Sequence, residues 1–227
     1  MQFFIEVLVG GLLSGVMYAL VALGFVLIYK ASGVFNFAQG AMVFFAALTF
    51  VGFQEVLPGW LGMAADSSIV FWLAFLLAFL AMIVLGVATE RIVLRPLVNQ
   101  PHITLFMATI GLTYVIEGIA QMTWGATVRG LDLGIVDEPI AWLMDNYEIG
   151  ISKFDLFAAG VAASLVALLA LLFQYTKVGR ALRAVADDHQ AALSIGIPLQ
   201  TIWRVVWAVA GFVALVAGMI WGARNGV

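Results

Sequence analysis

The sequence predicts an all-α, polytopic membrane protein of about six spanning helices, and three observations predict it. Of its 227 residues, 64% are apolar, where a soluble domain carries roughly half. The mean hydropathy is +1.11. The apolar residues also come as long runs, not as an alternating pattern, so the solvent they are built for is lipid. Spans in lipid must satisfy their own backbone groups, which makes these runs helices and not open sheet. Residues 1–227 read as one transmembrane domain.

The first run, residues 3–29, is broken only by Glu6 and has no basic residue ahead of it. It is too long for the core of a cleavable signal peptide, and at about 1.5 Å per residue it reaches about 40 Å, a tilted span. Further spans are predicted at 40–56, 69–93, 103–121, 154–173 and 202–221. Each is close to the length that an apolar core of about 30 Å requires. Orientation follows from Lys and Arg. With the N-terminus outside, Lys30, Arg91, Arg95, Lys177, Arg180, Arg183 and Arg204 fall inside, and Arg129, Lys153 and Arg224 outside. The 174–201 region is then cytoplasmic. The 122–152 loop, with Asp132, Asp137, Glu138, Asp145 and Glu148, faces out. Trp60, Trp124, Trp142 and Trp221 fall near the outer boundaries, as an interfacial aromatic belt requires.

The connection after the first span, 31–40, reads ASGVFNFAQG. It sets the amides of Asn36 and Gln39 among Phe35 and Phe37, with Gly33 and Gly40 at either side. One reading is a segment that dips back into the membrane, where amides satisfy a broken backbone and line a substrate site. The other is an interfacial loop with its rings at headgroup depth. In the fourth span Thr109, Thr113 and Glu117 follow one another at one-turn spacing on one face. Glu117 either faces a polar cavity or snorkels from near the outer end. Glu90, Arg91 and Arg95 close the third span as interfacial anchors. Gly11 and Gly15 form a GxxxG pair that admits a close neighbour helix.

The most polar stretch, 176–198, reads TKVGRALRAVADDHQAALSIGIP. Val178, Ala181, Leu182, Val185 and Ala186 recur at helical spacing, with Arg180, Arg183 and Asp187 between them. Asp187 or Asp188 can cap a second short helix, and Gly196 with Pro198 can stop it. Two short helices at a membrane surface serve either as a docking element for a soluble partner or as an amphipathic loop on headgroups.

Several classes are excluded by what the chain lacks. The net charge is −3 with no basic stripe, so nucleic acid is not a partner. There is no cysteine, the two histidines are far apart, and no catalytic set or phosphate-cradling loop is present. The expectation is no enzyme, no metal and no cofactor; any ATP would be bound by another chain.

LIYKASGVFNFAQGAM (27–42) and GRALRAVADDHQAALSIGI (179–197) together resemble the permease subunit of branched-chain amino acid ABC transporters. Relatives in that family carry urea or short amides. The resemblance runs from the first helix to the end of the chain. It implies an inner-membrane permease that pairs with a second, identical or homologous, permease subunit. Two cytoplasmic ATPases would dock on it, a periplasmic substrate-binding protein would deliver substrate, and lipid would surround it. The coupling pattern falls on Gly179, Arg180, Arg183, Ala184, Asp187, Asp188, Ala191, Ala192 and Gly196. The pathway would include Asn36, Phe37, Gln39 and Gly40. Family members run on past Gly226 with further helices, so the chain is expected to be incomplete at its C-terminus. The rival reading is a channel, passive or ATP-driven, for urea or short amides.

Overall fold

The computed structural model of the chain describes residues 2–33, 35–64, 66–97, 100–147 and 150–227. Val34 of the broken segment and Glu148 of the acidic loop lie outside them. Among the described residues, six helices are long and apolar enough to cross a membrane. They are α1 (Gln2–Ser32), α2 (Gln39–Leu61), α3 (Ser68–Ala88), α4 (His102–Trp124), α6 (Lys153–Tyr175) and α9 (Leu199–Asn225). Short α5 (Ala141–Tyr147) lies in the loop before α6. Two more, α7 (Lys177–Asp187) and α8 (His189–Ser194), form the polar element ahead of α9.

The ends differ from the sequence expectation where local stop signals outweigh hydropathy. Helix α1 runs on past Lys30, because the chain is first forced out of helix at Gly33, whose φ is +68° and whose N–H returns to the Tyr29 carbonyl at 2.8 Å. That is the left-handed glycine cap of a helix C-terminus. The described non-helical residues between α1 and α2 are therefore 33 and 35–38. Helix α2 passes through Pro58 and ends at Gly62, the next left-handed position. Helix α3 does not stop cleanly. Its last turns widen into a π-helical turn, Thr89–Leu94, and then tighten over Arg95–Leu97.

Helices α2 and α9 form the centre, with 61% and 67% of their apolar windows buried against 22% for α4 and α6. Helix α9 packs on α1, α2 and α3, while α4 leans on α2 and α6 on α1. The close approaches are made by glycines that face a neighbouring backbone. A Cβ on Gly218 would sit 2.5 Å from the Val43 carbonyl oxygen, and one on Gly86 would sit 2.9 Å from that of Trp207. With no hydrophobic drive between helices in lipid, such contact is what holds them together. Gly11 and Gly15, the pair singled out from sequence, lie on an exposed face with nothing within 4 Å.

At the end of the bundle away from α7 and α8, the loops are tied down by charge. Arg129 pairs with Glu55 at 2.5 Å, Lys153 with Glu138 at 3.4 Å, and Arg224 with Asp155. The main chain of Arg129 also exchanges two hydrogen bonds with that of Val227, at 2.7 and 2.9 Å.

Candidate functional site

The broken segment is built by its own sequence. Gly33 reverses the chain, and Asn36 then starts the next helix. Its Oδ1 accepts the N–H of Ala38 at 3.2 Å, its carbonyl accepts that of Gln39 at 3.2 Å, and its Nδ2 reaches the Met42 sulfur at 3.6 Å. Asn36 is fully buried, so its amide replaces water for backbone groups that no helix satisfies.

The segment folds back alongside α1. Phe35 stacks on Phe25 with ring centroids 5.3 Å apart, seven residues before the helix end. Gln39 packs against Gly24, so closely that a Cβ there would overlap its amide. At about 1.5 Å per residue, α2 starts roughly 12 Å back from the end of α1. Four rings bridge the gap from α1 to α4: Phe25, Phe35, Phe37 and Phe106, with the last two contacts at 4.9 and 4.7 Å. The Thr109 hydroxyl donates to the Phe35 carbonyl at 3.4 Å and to its own helix at Phe106, 2.9 Å.

Sequence reasoning gave both amides one job, and the structure divides them. Asn36 satisfies the break. Gln39 is equally buried, yet neither Nε2 nor Oε1 has a hydrogen-bond partner. Gly40, next in line, is open to a cavity of about 560 Å³ between α1, α2 and α9. Thr113, half-buried, bonds back to the Thr109 carbonyl at 3.1 Å. Glu117 is half-buried one turn further along α4. Neither of these two lines the cavity that Gly40 opens on, because α4 packs on the other side of α2.

The polar element is ordered around shared caps. Thr176 ends α6 and begins α7: its hydroxyl donates to the Leu172 carbonyl at 2.5 Å and accepts the Gly179 N–H at 3.0 Å. Arg180 and Arg183 donate to the Tyr175 and Gln174 carbonyls at 3.2 and 3.4 Å. Cations thus meet the carbonyl end of α6, which favours them. Asp188 caps α8, its carboxylate accepting the Ala191 N–H at 3.0 Å. Gly196, with φ +83°, ends it.

One face of this element is pinned inward by Gly179, Leu182, Val185 and Ala192. The outward face carries Arg180, Arg183, Asp187, Asp188, Ala191 and Gly196, with Ala184 half-buried. It also shows Leu193 and Ile195, 54% and 73% exposed, two apolar residues that the sequence reading passed over. A side chain at Gly179 would strike the Phe173 backbone, so this glycine and Ala192 seat the element and do not face outward.

A further charge pair was not anticipated. Glu90, expected as an interfacial anchor, is fully buried and bound by half-buried Arg95 through three contacts of 3.0–3.1 Å. The pair forms at the π-helical turn, whose i→i+5 hydrogen bonds widen the helix and bring residues five apart closer to one face.

Comparison with known proteins agrees with this architecture. The family model described as "Branched-chain amino acid transport system / permease component" matches residues 7–227. The high-affinity branched-chain amino acid transport system permease protein LivH of Salmonella typhimurium (strain LT2) is 25% identical over 99% of this chain and 72% of its own length. BraD of Pseudomonas aeruginosa, a permease protein with the same description, is 23% identical over the same shares. The fructose import permease protein FruF of Bifidobacterium longum is 28% identical over 65% of this chain and 39% of its own. No solved structure matches. With the match covering all but the first six residues, the chain belongs to the family of branched-chain amino acid transport system permease components.

Proposed function

We propose that the chain forms half of the pathway of an ATP-driven importer for branched-chain amino acids. The cytoplasmic side is the α7–α8 side, and the N-terminus is outside in a bacterial inner membrane. The observation that carries this is the α7–α8 element: ordered, capped at both ends, packed on α6 and α1, and showing an outward face with Leu193 and Ile195. A loop that only rests on headgroups needs no such build. An ATPase subunit that grips this face moves α6 and α9 together, since α7 continues from the one and α8 leads into the other.

In this reading Asn36, Phe37, Gln39 and Gly40 form the constriction, and Thr109 holds the segment from behind. Thr113 and Glu117 extend the α4 wall. A second permease subunit supplies the other half, and a substrate-binding protein delivers to the outer face. An apolar cavity, walled by aromatic and aliphatic side chains, favours the branched-chain substrates of LivH and BraD over urea, whose surface is polar throughout. FruF, named for fructose, shows that likeness to a permease does not by itself fix the cargo.

Cells expressing the chain with its genomic neighbours should take up leucine, and ATP depletion should stop that uptake. The ATPase subunits should co-purify with the chain. Uptake that survives ATP depletion would favour the passive-channel reading instead.

A further inference from the structure

On the α7–α8 side of the bundle, α1, α6 and α7 enclose a groove of about 350 Å³. Its walls are apolar and come from all three helices: Val26 and Leu27 on α1, Val166 and Ala170 on α6, and Leu182 on α7. Its polar lining is confined to Lys30, Gln174 and Arg183. Lys30 lies in the last turn of α1 and Gln174 in the last turn of α6. The polar end therefore sits where both spans leave the apolar core. The wall residue Leu23 precedes Lys30 by seven residues, and Val166 precedes Gln174 by eight. At about 1.5 Å per residue the apolar part runs roughly 10–12 Å into the bilayer. That is most of one leaflet, half of a core about 30 Å thick.

The charge at that end is left over. Lys30 is exposed, and its side chain makes no hydrogen bond or ion pair among the described residues. Arg183 is exposed too and gives one hydrogen bond, to the Gln174 carbonyl at 3.4 Å, out of the five N–H groups of a guanidinium. Neither cation has an acid partner among the described residues. No Asp or Glu lines the groove; Asp187, one turn along α7 from Arg183, is not part of the lining. Snorkelling alone would carry Lys30 to the interface. It does not account for a second cation, brought from a different helix, at the head of the same apolar slot. Helix α1 packs on both α6 and α7, so the two charges are placed by packed helices and not by a loop.

We infer that the groove between α1, α6 and α7 binds one anionic phospholipid, with its phosphate between Lys30 and Arg183 and an acyl chain along Val26, Leu27, Val166 and Ala170. A phosphate diester accepts from an ammonium and a guanidinium at once. Basic pockets between spanning helices take acidic headgroups for this reason. A zwitterionic headgroup brings a cation of its own, for which the lining holds no carboxylate. The lipid touches all three helices and braces α7 against the bundle. This inference needs only that α1 and α6 cross the bilayer; it is independent of the cargo and of the importer reading.

The test is native mass spectrometry of the chain, purified in detergent as the complex it forms in the membrane and titrated with lipid. The probes are dioleoyl phosphatidylglycerol, which is anionic, and dioleoyl phosphatidylcholine, which has the same chains and no net charge. The unaltered protein should bind the anionic lipid at least about tenfold more tightly. Lys30→Gln with Arg183→Gln should abolish most of that preference. Arg91→Gln with Lys177→Gln, which removes the same charge from exposed positions outside the groove, should leave it within about twofold. Ala170→Phe fills the groove and spares both cations; it should weaken binding of the anionic lipid by at least about fivefold. Inorganic phosphate should not displace the lipid. Equal binding of the two lipids, a preference that survives loss of Lys30 and Arg183, or one lost equally in the Arg91–Lys177 variant overturns the site. An unchanged affinity in Ala170→Phe, or displacement by phosphate, overturns the seated chain and with it the lipid. Should a double variant fail to assemble, the two-lipid comparison and phosphate competition on the unaltered protein decide the matter.

Discussion

Arg95 closes a two-pronged ion pair on Glu90, five residues earlier, with Nη2 at 3.0 and 3.1 Å from the two carboxylate oxygens. Glu90 is fully enclosed and the Arg95 side chain is 31% exposed. Removing the arginine leaves a buried charge without a partner, which is far worse than losing the pair. Arg95→Ala should destabilise the protein by about 3 kcal/mol, the low end for a buried pair because Arg95 still touches solvent. Glu90→Gln, which keeps the shape and drops the charge, should cost less. Steric-trapping measurements on both variants check the order; equal losses would mean that packing, not charge, sets the effect.

The glycines of α9 and α1 should respond in opposite ways. Gly218→Val drives a side chain into the Val43 carbonyl and should cost about 1–3 kcal/mol, as overpacked cores do. Gly15→Val, on an open face, should change stability by less than about 0.5 kcal/mol. Melting temperatures in detergent read both. A large loss from Gly15→Val would show that a second subunit packs there.

The docking face is tested at two positions. Ala184→Arg places a bulky cation beside the exposed face of α7, and Leu193→Glu replaces an outward apolar contact by a charge. Both variants should insert normally, retain ATP hydrolysis by the partner subunits, and lose leucine uptake by at least about tenfold. Normal uptake in both would remove the α7–α8 face from coupling.

Topology can be read by labelling, because the chain has no cysteine of its own. In whole cells Asp132→Cys should react with a membrane-impermeant maleimide. Asp187→Cys should react only after the membrane is opened. The reverse pattern would invert the assigned orientation.

Glu117 lies off the cavity that Gly40 lines. Glu117→Gln should therefore leave leucine affinity within about twofold while Gln39→Glu does not. A tenfold loss from Glu117→Gln would bring α4 into the binding site.

Much of this architecture is legible in the residues themselves. The spans follow from apolar runs, and the break between α1 and α2 follows from Gly33 and Asn36. The α7–α8 pair follows from its caps, since Thr176, Asp188 and Gly196 each act through local backbone geometry that a sequence displays. What escapes such reading depends on partners distant in the chain. Nothing near Gly218 announces Val43, although Gly218 and Gly222 repeat the GxxxG spacing found at Gly11 and Gly15. Glu90 and Arg95 read as separate anchors under a 3.6-residue period, and only a widened turn aligns them. The unpaired amide of Gln39 is likewise invisible until α1 is laid against it.

Thr176 belongs to two helices at once, accepting from α7 and donating to α6 through the same oxygen. A joint of one residue has no slack to take up. In the proposed importer, a displacement of the surface helix α7 passes to the membrane-spanning α6 as rotation, undamped, as a crank turns its shaft. Lengthening this joint by a few glycines would leave every contact face intact and still disconnect the motor from the load.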